Sequence, residues 1–122
     1  GKAIFAWLPD SEIDRIFAGG LKRCTERTIT DIGALHQALH AVRRDGYAID
    51  REEHIPGVVC ITAAVRDQAG AVIGGIGASM PAMRATDDHV ARTSEEIVAA
   101  AAGLSADFGA PAGYSERKAL AN

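Results

Sequence analysis

"AIDREEHIPGVVCITAAV", residues 48–65, is the stretch on which the fold turns. It starts as a strand carrying Asp50, breaks into a charged connection closed by Pro56-Gly57, and resumes as a nearly apolar run containing Cys60. Extended segments on either side of a Pro-Gly turn read as neighbouring antiparallel strands. A carboxylate and a thiol flanking that turn do not belong to a simple sheet core, so a site is sought around them.

Working outward, residues 47–50, 57–66 and 71–79 are expected to be three strands, the last two joined through the hairpin signal "DQAG". With a symmetric turn on 67–70, Arg66 faces Ala71, Cys60 faces Gly77, Val58 faces Ser79 and Thr62 faces Gly75. The alternate set, Val59, Ile61, Ala63 and Val65 against Ala78, Ile76, Gly74 and Val72, is aliphatic and suits packing beneath a helix. The first set is small and polar. If the 51–57 connection is a wide loop, Asp50 lies opposite Cys60 on this second face. Asp50, Cys60 and Ser79 then line a hollow, with Gly75 and Gly77 leaving floor space for a small molecule.

Helices surround this sheet. Residues 2–8 read as helical up to Pro9. Asp10 is expected to cap "SEIDRIFAGG", and Thr30 or Asp31 a helix with Ile32, Leu35, Leu39 and Val42 on one face, ended by Gly46. Arg43 and Arg44 suit its C-terminal dipole. Thr86 caps a long helix over 87–108 with Val90, Ile97, Val98, Ala101, Leu104 and Phe108 on its apolar stripe, closed by Gly109. The tail 110–122 is expected to be flexible. The opening "GKAIFAWLPD" is helical in pattern without a capping residue ahead of it, so the domain over 1–109 is expected to be incomplete at its N-terminus.

Composition bounds the function. The 122-residue chain has 48% hydrophobic residues, only 5% aromatics and a net charge of −3. That charge disfavours nucleic-acid binding by this piece alone, since phosphate contacts require a basic surface. No apolar run reaches the roughly 20 residues of a membrane span. Cys24 and Cys60 form neither a disulfide framework nor a CxxC pair, which points to a reduced, cytoplasmic setting.

Other groupings compete weakly. Asp50, His54 and Cys60 offer a nucleophile set or three metal ligands of mixed O/N/S chemistry, but the sequence shows neither the base nor the oxyanion hole of a thiol enzyme, and His54 reads as an exposed loop residue. "HQALH" sets His36 and His40 at i, i+4, a workable metal spacing, but they are expected to flank the apolar stripe in solvent, and no metal or cofactor is assigned. "GGIGASM" is not a dinucleotide motif. Met80 and Met83 read as pocket rim or interface packing.

"GKAIFAWLP", "RTITD" opening a helix, and "GYAIDREEHIPGVVCITAAVRDQAGAVIGGIGASMP" together resemble the C-terminal effector-binding domain of the IclR family of bacterial transcription regulators. The resemblance runs from Gly1 to about Gly109. It implies an α+β, GAF-like (profilin-like) antiparallel sheet with helices packed on one face. It also implies an N-terminal winged helix-turn-helix domain through which DNA is bound, and assembly into dimers or tetramers. The implied partner is a small effector, often an organic acid, held on the sheet face by Asp50, Cys60 and Ser79, with backbone amides ahead of the "GKA" helix helping to hold its carboxylate. Gly77 stands where the family has a second serine, which implies a roomier floor and a larger effector. Val58 and Ile73 are expected to shape the cavity. The rival readings are an oligomerisation module without ligand and, more weakly, an enzyme using Cys60.

Overall fold

The computed structural model describes residues 1–111. The elements run α1 (Lys2–Phe5), α2 (Asp10–Ile16), α3 (Ile32–Asp45), β1 (Ala48–Arg51), β2 (Val58–Arg66), β3 (Val72–Pro81), a 3-10 turn (Ala82–Arg84) and α4 (Asp87–Asp107). The strands form one antiparallel sheet in the order β1-β2-β3. All three strands extend a little beyond or stop just inside their expected ends, and Pro81 lies within β3 rather than stopping it. The expectation of a flexible tail falls mostly outside the described residues.

Two clusters divide the core. Val59, Ile61, Ala63 and Val65 of β2 pack with Met80 of β3 against Val90, Ile97 and Ala101 of α4. Met80 is thus core, not pocket rim, while Met83 is almost fully exposed. The second cluster joins α1, α2 and α3 through Ala3, Ala6, Ile13, Leu35, Leu39 and Val42. It reaches the sheet at Ala48, on the face away from Val59 and Ile61.

The helix ends follow local chemistry. Asp31 caps α3 by accepting from the Ala34 N–H at 2.9 Å, and Gly46 ends it in a left-handed conformation, φ 86°. Thr86 caps α4 through the His89 N–H. Asp10 does not cap α2: Pro9 precedes the helix, and the Asp10 carboxylate turns instead to His40 and Arg43 on α3. Partial desolvation works to raise the Asp10 pKa, but the hydrogen bond and charge of His40, joined by Arg43, outweigh it and leave the carboxyl below its ordinary value. Arg43 also donates to the carbonyls of Ala6 and Leu8, so it ties the start of the chain to α3 rather than serving the helix dipole alone.

The buried stripe of α4 differs from the expected one. It comprises Val90, Ser94, Ile97, Ala101 and Ser105, whereas Val98, Leu104 and Phe108 are substantially exposed. Ser94 is satisfied within the helix by donating to the Val90 carbonyl at 2.7 Å. Ser105 accepts the Arg66 N–H at 2.9 Å, reaching across to β2.

That contact sits at the irregularity in the strand register. The pairing is irregular between Val65 and Arg66, and Cys60 faces Ser79, Thr62 faces Gly77 and Ala64 faces Gly75. Each partner lies two positions further along β3 than a symmetric turn would place it. Asp67 closes the hairpin by accepting from Ala69 and Ala71, and its N–H donates to the Ala71 carbonyl, which makes the turn longer. The Arg66 amide, drawn to Ser105, then opens a bulge. A slip of two preserves the alternation of faces over Val58–Val65, so both sets survive there; Val72, expected opposite Val65, pairs instead with Arg66 beyond the bulge.

Candidate functional site

β1 and β2 pair so that Asp50 stands directly opposite Cys60, and Ala48 opposite Thr62. Their side chains open into a cavity of about 370 Å³, lined by Gly1, Lys2, Ala3, Ala48, Asp50, Glu53, His54, Cys60 and Thr62. Three parts of the chain meet here: the start of α1, the sheet face, and the acidic loop over 51–57.

Each polar wall residue has a defined position. The Asp50 Oδ1 accepts the Glu53 N–H at 2.7 Å, which fixes the entry to the loop. Lys2 donates to the Ile49 carbonyl at 2.7 Å and forms an ion pair with Glu53 at 2.8 Å; both side chains are about four-fifths buried. The Cys60 thiol and the Thr62 hydroxyl lie 3.5 Å apart along one face of β2.

The acidic loop is held under strain. Glu52 has φ 59°, a left-handed conformation that costs a residue with a side chain on the order of 1 kcal/mol or more. Four contacts impose it. Its N–H donates to the Val58 carbonyl, its Oε1 accepts the Gly57 N–H, its Oε2 pairs with Arg27, and its carbonyl accepts from the Thr25 hydroxyl at 2.6 Å. Thr28 donates to the next carbonyl, that of Glu53. The 25–28 segment, which carries no periodic signal, therefore braces the loop that bears Glu53 and His54.

The residues expected from the sequence divide into two groups. Asp50 and Cys60 meet at the cavity. Ser79 pairs with Cys60 across β2 and β3 and shares its face, but it is exposed and does not line the cavity. Val58 is half-buried at the start of β2, two residues before Cys60, and Ile73, about half exposed, sits in the bulge near the hairpin. Neither belongs to the cavity wall. Gly77 provides no floor: a Cβ there would lie 2.6 Å from Thr62 Oγ1 and 2.7 Å from the Ile61 carbonyl oxygen. The glycine permits close approach of β2, and Thr62 fills the space that a larger effector was expected to use. Lys2, Glu53 and Thr62 line the cavity without having been expected there. The "GKA" start carried the signal for Lys2, but its role needs the fold that brings residue 2 against residue 53.

Among the described residues, no helix is long and apolar enough to cross a membrane. The model of the family described as "Bacterial transcriptional regulator IclR C-terminal" matches residues 1–106. The HTH-type transcriptional repressor AllR of Klebsiella pneumoniae is 40% identical over 110 residues, covering 89% of this chain and 40% of AllR. The chain thus spans about two-fifths of the length of that relative. The crystal structure of the Agobacterium tumefaciens repressor BlcR superposes with a TM-score of 0.86 at 31% identity, covering 88% of this chain and 44% of that one. The inducer-binding domain of an Acinetobacter PobR transcription factor double mutant, solved as a complex with 3-hydroxybenzoic acid, gives 0.74 at 28% identity, covering 84% and 59%. Those relatives are transcriptional regulators, and the fold is that of their C-terminal domains. The chain belongs to the IclR family of bacterial transcriptional regulators, in the part matched by the family's C-terminal domain.

Proposed function

We propose that this domain senses a small carboxylate carrying a hydroxyl or amide donor, and that the cavity between β1, β2 and the start of α1 is where it binds. The observation that carries the reading is the direct opposition of Asp50 and Cys60 at the wall of a half-open cavity large enough for such a molecule. Lys2 spends two of its three N–H donors on Ile49 and Glu53, leaving one for an anion. The first amides of α1 have no intrahelical acceptor and lie on the same wall. Asp50 keeps one oxygen for a donor on the effector, while Cys60 and Thr62 supply short polar contacts. Ser79 extends this polar row toward β3; Val58, Gly77 and Ile73 shape the face around it rather than touch a small effector. The bound 3-hydroxybenzoic acid of the PobR domain, an acid with a hydroxyl donor, supports this class.

The proposed mechanism is allosteric. The effector bridges α1 and the strained acidic loop, so it favours the arrangement in which the two are close. That difference in affinity biases the placement of N-terminal winged helix-turn-helix domains on DNA within a dimer or tetramer in the cytoplasm. No catalysis is invoked: the thiol's hydrogen-bond partner is the Thr62 hydroxyl, not a base.

Titration calorimetry with a panel of hydroxy acids and hydroxybenzoic acids tests the reading. One-site saturable binding that is lost in Asp50→Ala and Cys60→Ala, with unchanged circular dichroism, is the expected result. Silence across the panel would leave an oligomerisation module as the better description, and rapid alkylation of Cys60 near neutral pH would reopen thiol chemistry.

A further inference from the structure

A second constellation lies between α2 and α3, apart from the cavity. His36 and His40 occupy successive turns of one face of α3, and Asp10 projects from the first turn of α2 toward both. One ligand atom from each of the three lies within 4.8 Å of the others. His36 Nδ1 is 3.6 Å from Asp10 Oδ1, and His40 Nε2 is 3.2 Å from Asp10 Oδ2. Donor atoms around a tetrahedral zinc with bonds of about 2.0–2.1 Å stand roughly 3.3 Å apart. The two histidine–carboxylate separations are of that order, and side-chain rotation has to bring the two histidine nitrogens, which lie within 4.8 Å of each other, onto one ion.

The hydrogen bonding of His36 sharpens the point. Its Nε2 lies 2.7 Å from Asp14 Oδ1, and a carboxylate only accepts, so Nε2 carries the proton. In the neutral ring Nδ1 then presents a lone pair. That atom is buried and has no hydrogen-bond partner among the described residues, and it faces the Asp10 carboxylate, another acceptor. A metal ion at this point would take the place of the proton that His40 Nε2 shares with Asp10 and would give the unpartnered His36 Nδ1 a ligand role. Asp14 stands where an outer carboxylate orients a metal-bound histidine. Arg43 approaches Asp10 Oδ1 at 3.3 Å, but it has the Ala6 and Leu8 carbonyls as its own partners and leaves Oδ2 to His40.

We infer that Asp10, His36 and His40 form a binding site for a divalent transition metal of the zinc class, with Asp14 as the positioning residue and solvent in the fourth place. Two imidazoles and a carboxylate suit zinc, cobalt or nickel better than the oxygen-seeking magnesium or calcium. The ion ties α2 to α3 across the 17–31 connection. Since α1 packs in the same cluster, the ion also stiffens the layer that carries Lys2 and Ala3 to the cavity wall.

The test is titration of Co²⁺ into the chelator-treated 122-residue chain, read by visible d–d absorption, followed by displacement with Zn²⁺. The expected result is one equivalent of four- or five-coordinate Co²⁺, and a higher Tm with Zn²⁺ than with chelator. His40→Gln, at a half-exposed ring, is expected to abolish the bands with circular dichroism unchanged. Asp14→Asn is expected to weaken binding by about tenfold or more. Cys60→Ala is expected to bind as wild type. Octahedral Co²⁺ spectra, no uptake, or binding that survives His40→Gln and is lost with Cys60→Ala would each overturn the site.

Discussion

The two faces of β2 come from alternate residues of one nine-residue strand, yet they have opposite fates. Val59, Ile61, Ala63 and Val65 are each no more than 3% exposed beneath α4, whereas Val58, Cys60, Thr62, Ala64 and Arg66 remain half-buried. Apolar burial contributes roughly 1.5–3 kcal/mol for each large aliphatic side chain. One closed face therefore anchors the sheet, and the other is free to carry a cavity, polar groups and the approach of α1. The difference teaches that the site is borne by the fold without being part of what stabilises it.

The largest expected effect tests the closed face. Ile61→Ala removes a fully buried side chain from the centre of the α4 cluster and is expected to cost about 2–5 kcal/mol in urea unfolding. A loss under about 1 kcal/mol would mean that α4 is not the layer holding the sheet.

The next prediction concerns the boundary between the faces. Gly77→Ala drives a methyl group against the Thr62 side chain and the Ile61 carbonyl, and is expected to cost about 1–3 kcal/mol. Adding Thr62→Ala is expected to restore only part of it, because the carbonyl belongs to the backbone. If the position is instead an open floor, Gly77→Ala will be neutral in unfolding and will act only on effector size.

A smaller effect is expected from Ser105→Ala, which removes the acceptor that draws the Arg66 amide out of register. About 1 kcal/mol is lost in unfolding, and hydrogen exchange at Arg66 rises while that at Ile61 does not. Equal acceleration at both amides would tie Ser105 to the whole sheet rather than to the bulge.

These positions also show what was legible in the sequence. The period of two in β2 separated the faces, and because a two-residue slip keeps parity, Asp50, Cys60 and Ser79 fell on the correct side despite the wrong pairing along β3. The slip itself was hidden. It depends on Ser105 on α4 and on the Asp67 turn, and no local pattern marks a serine as an acceptor for a distant strand. The same blindness misread the stripe of α4, where Ser94 and Ser105 are buried and Phe108 is not. Gly77 was read as space because a glycine has none of its own bulk, while the side chain that fills the place lies on another strand. Asp10 looked like a cap since local hydrogen bonding favours aspartate there; His40 and Arg43, from a helix well separated in sequence, outcompeted the local backbone. Local rules carried the element types, and the site's Lys2–Glu53 pairing awaited tertiary contact.

The smallest expected change in stability is the one that separates the faces most cleanly. Cys60 adjoins Ile61 in sequence but points the other way, into the cavity, with a weak contact to Thr62. Cys60→Ala removes little buried area and no strong hydrogen bond, so unfolding free energy is expected to change by less than about 0.5 kcal/mol. Binding of the effector is expected to be lost in that variant. In Ile61→Ala the reverse holds: the folded fraction falls, while affinity per folded molecule stays near wild type, since the deleted atoms lie on the α4 side of the sheet. Measuring both variants in unfolding and in calorimetry gives a crossed pattern if the faces are independent. A parallel pattern, in which each substitution lowers stability and affinity together, would show that α4 packing and cavity shape are coupled through β2, and the division of labour would then have to be abandoned.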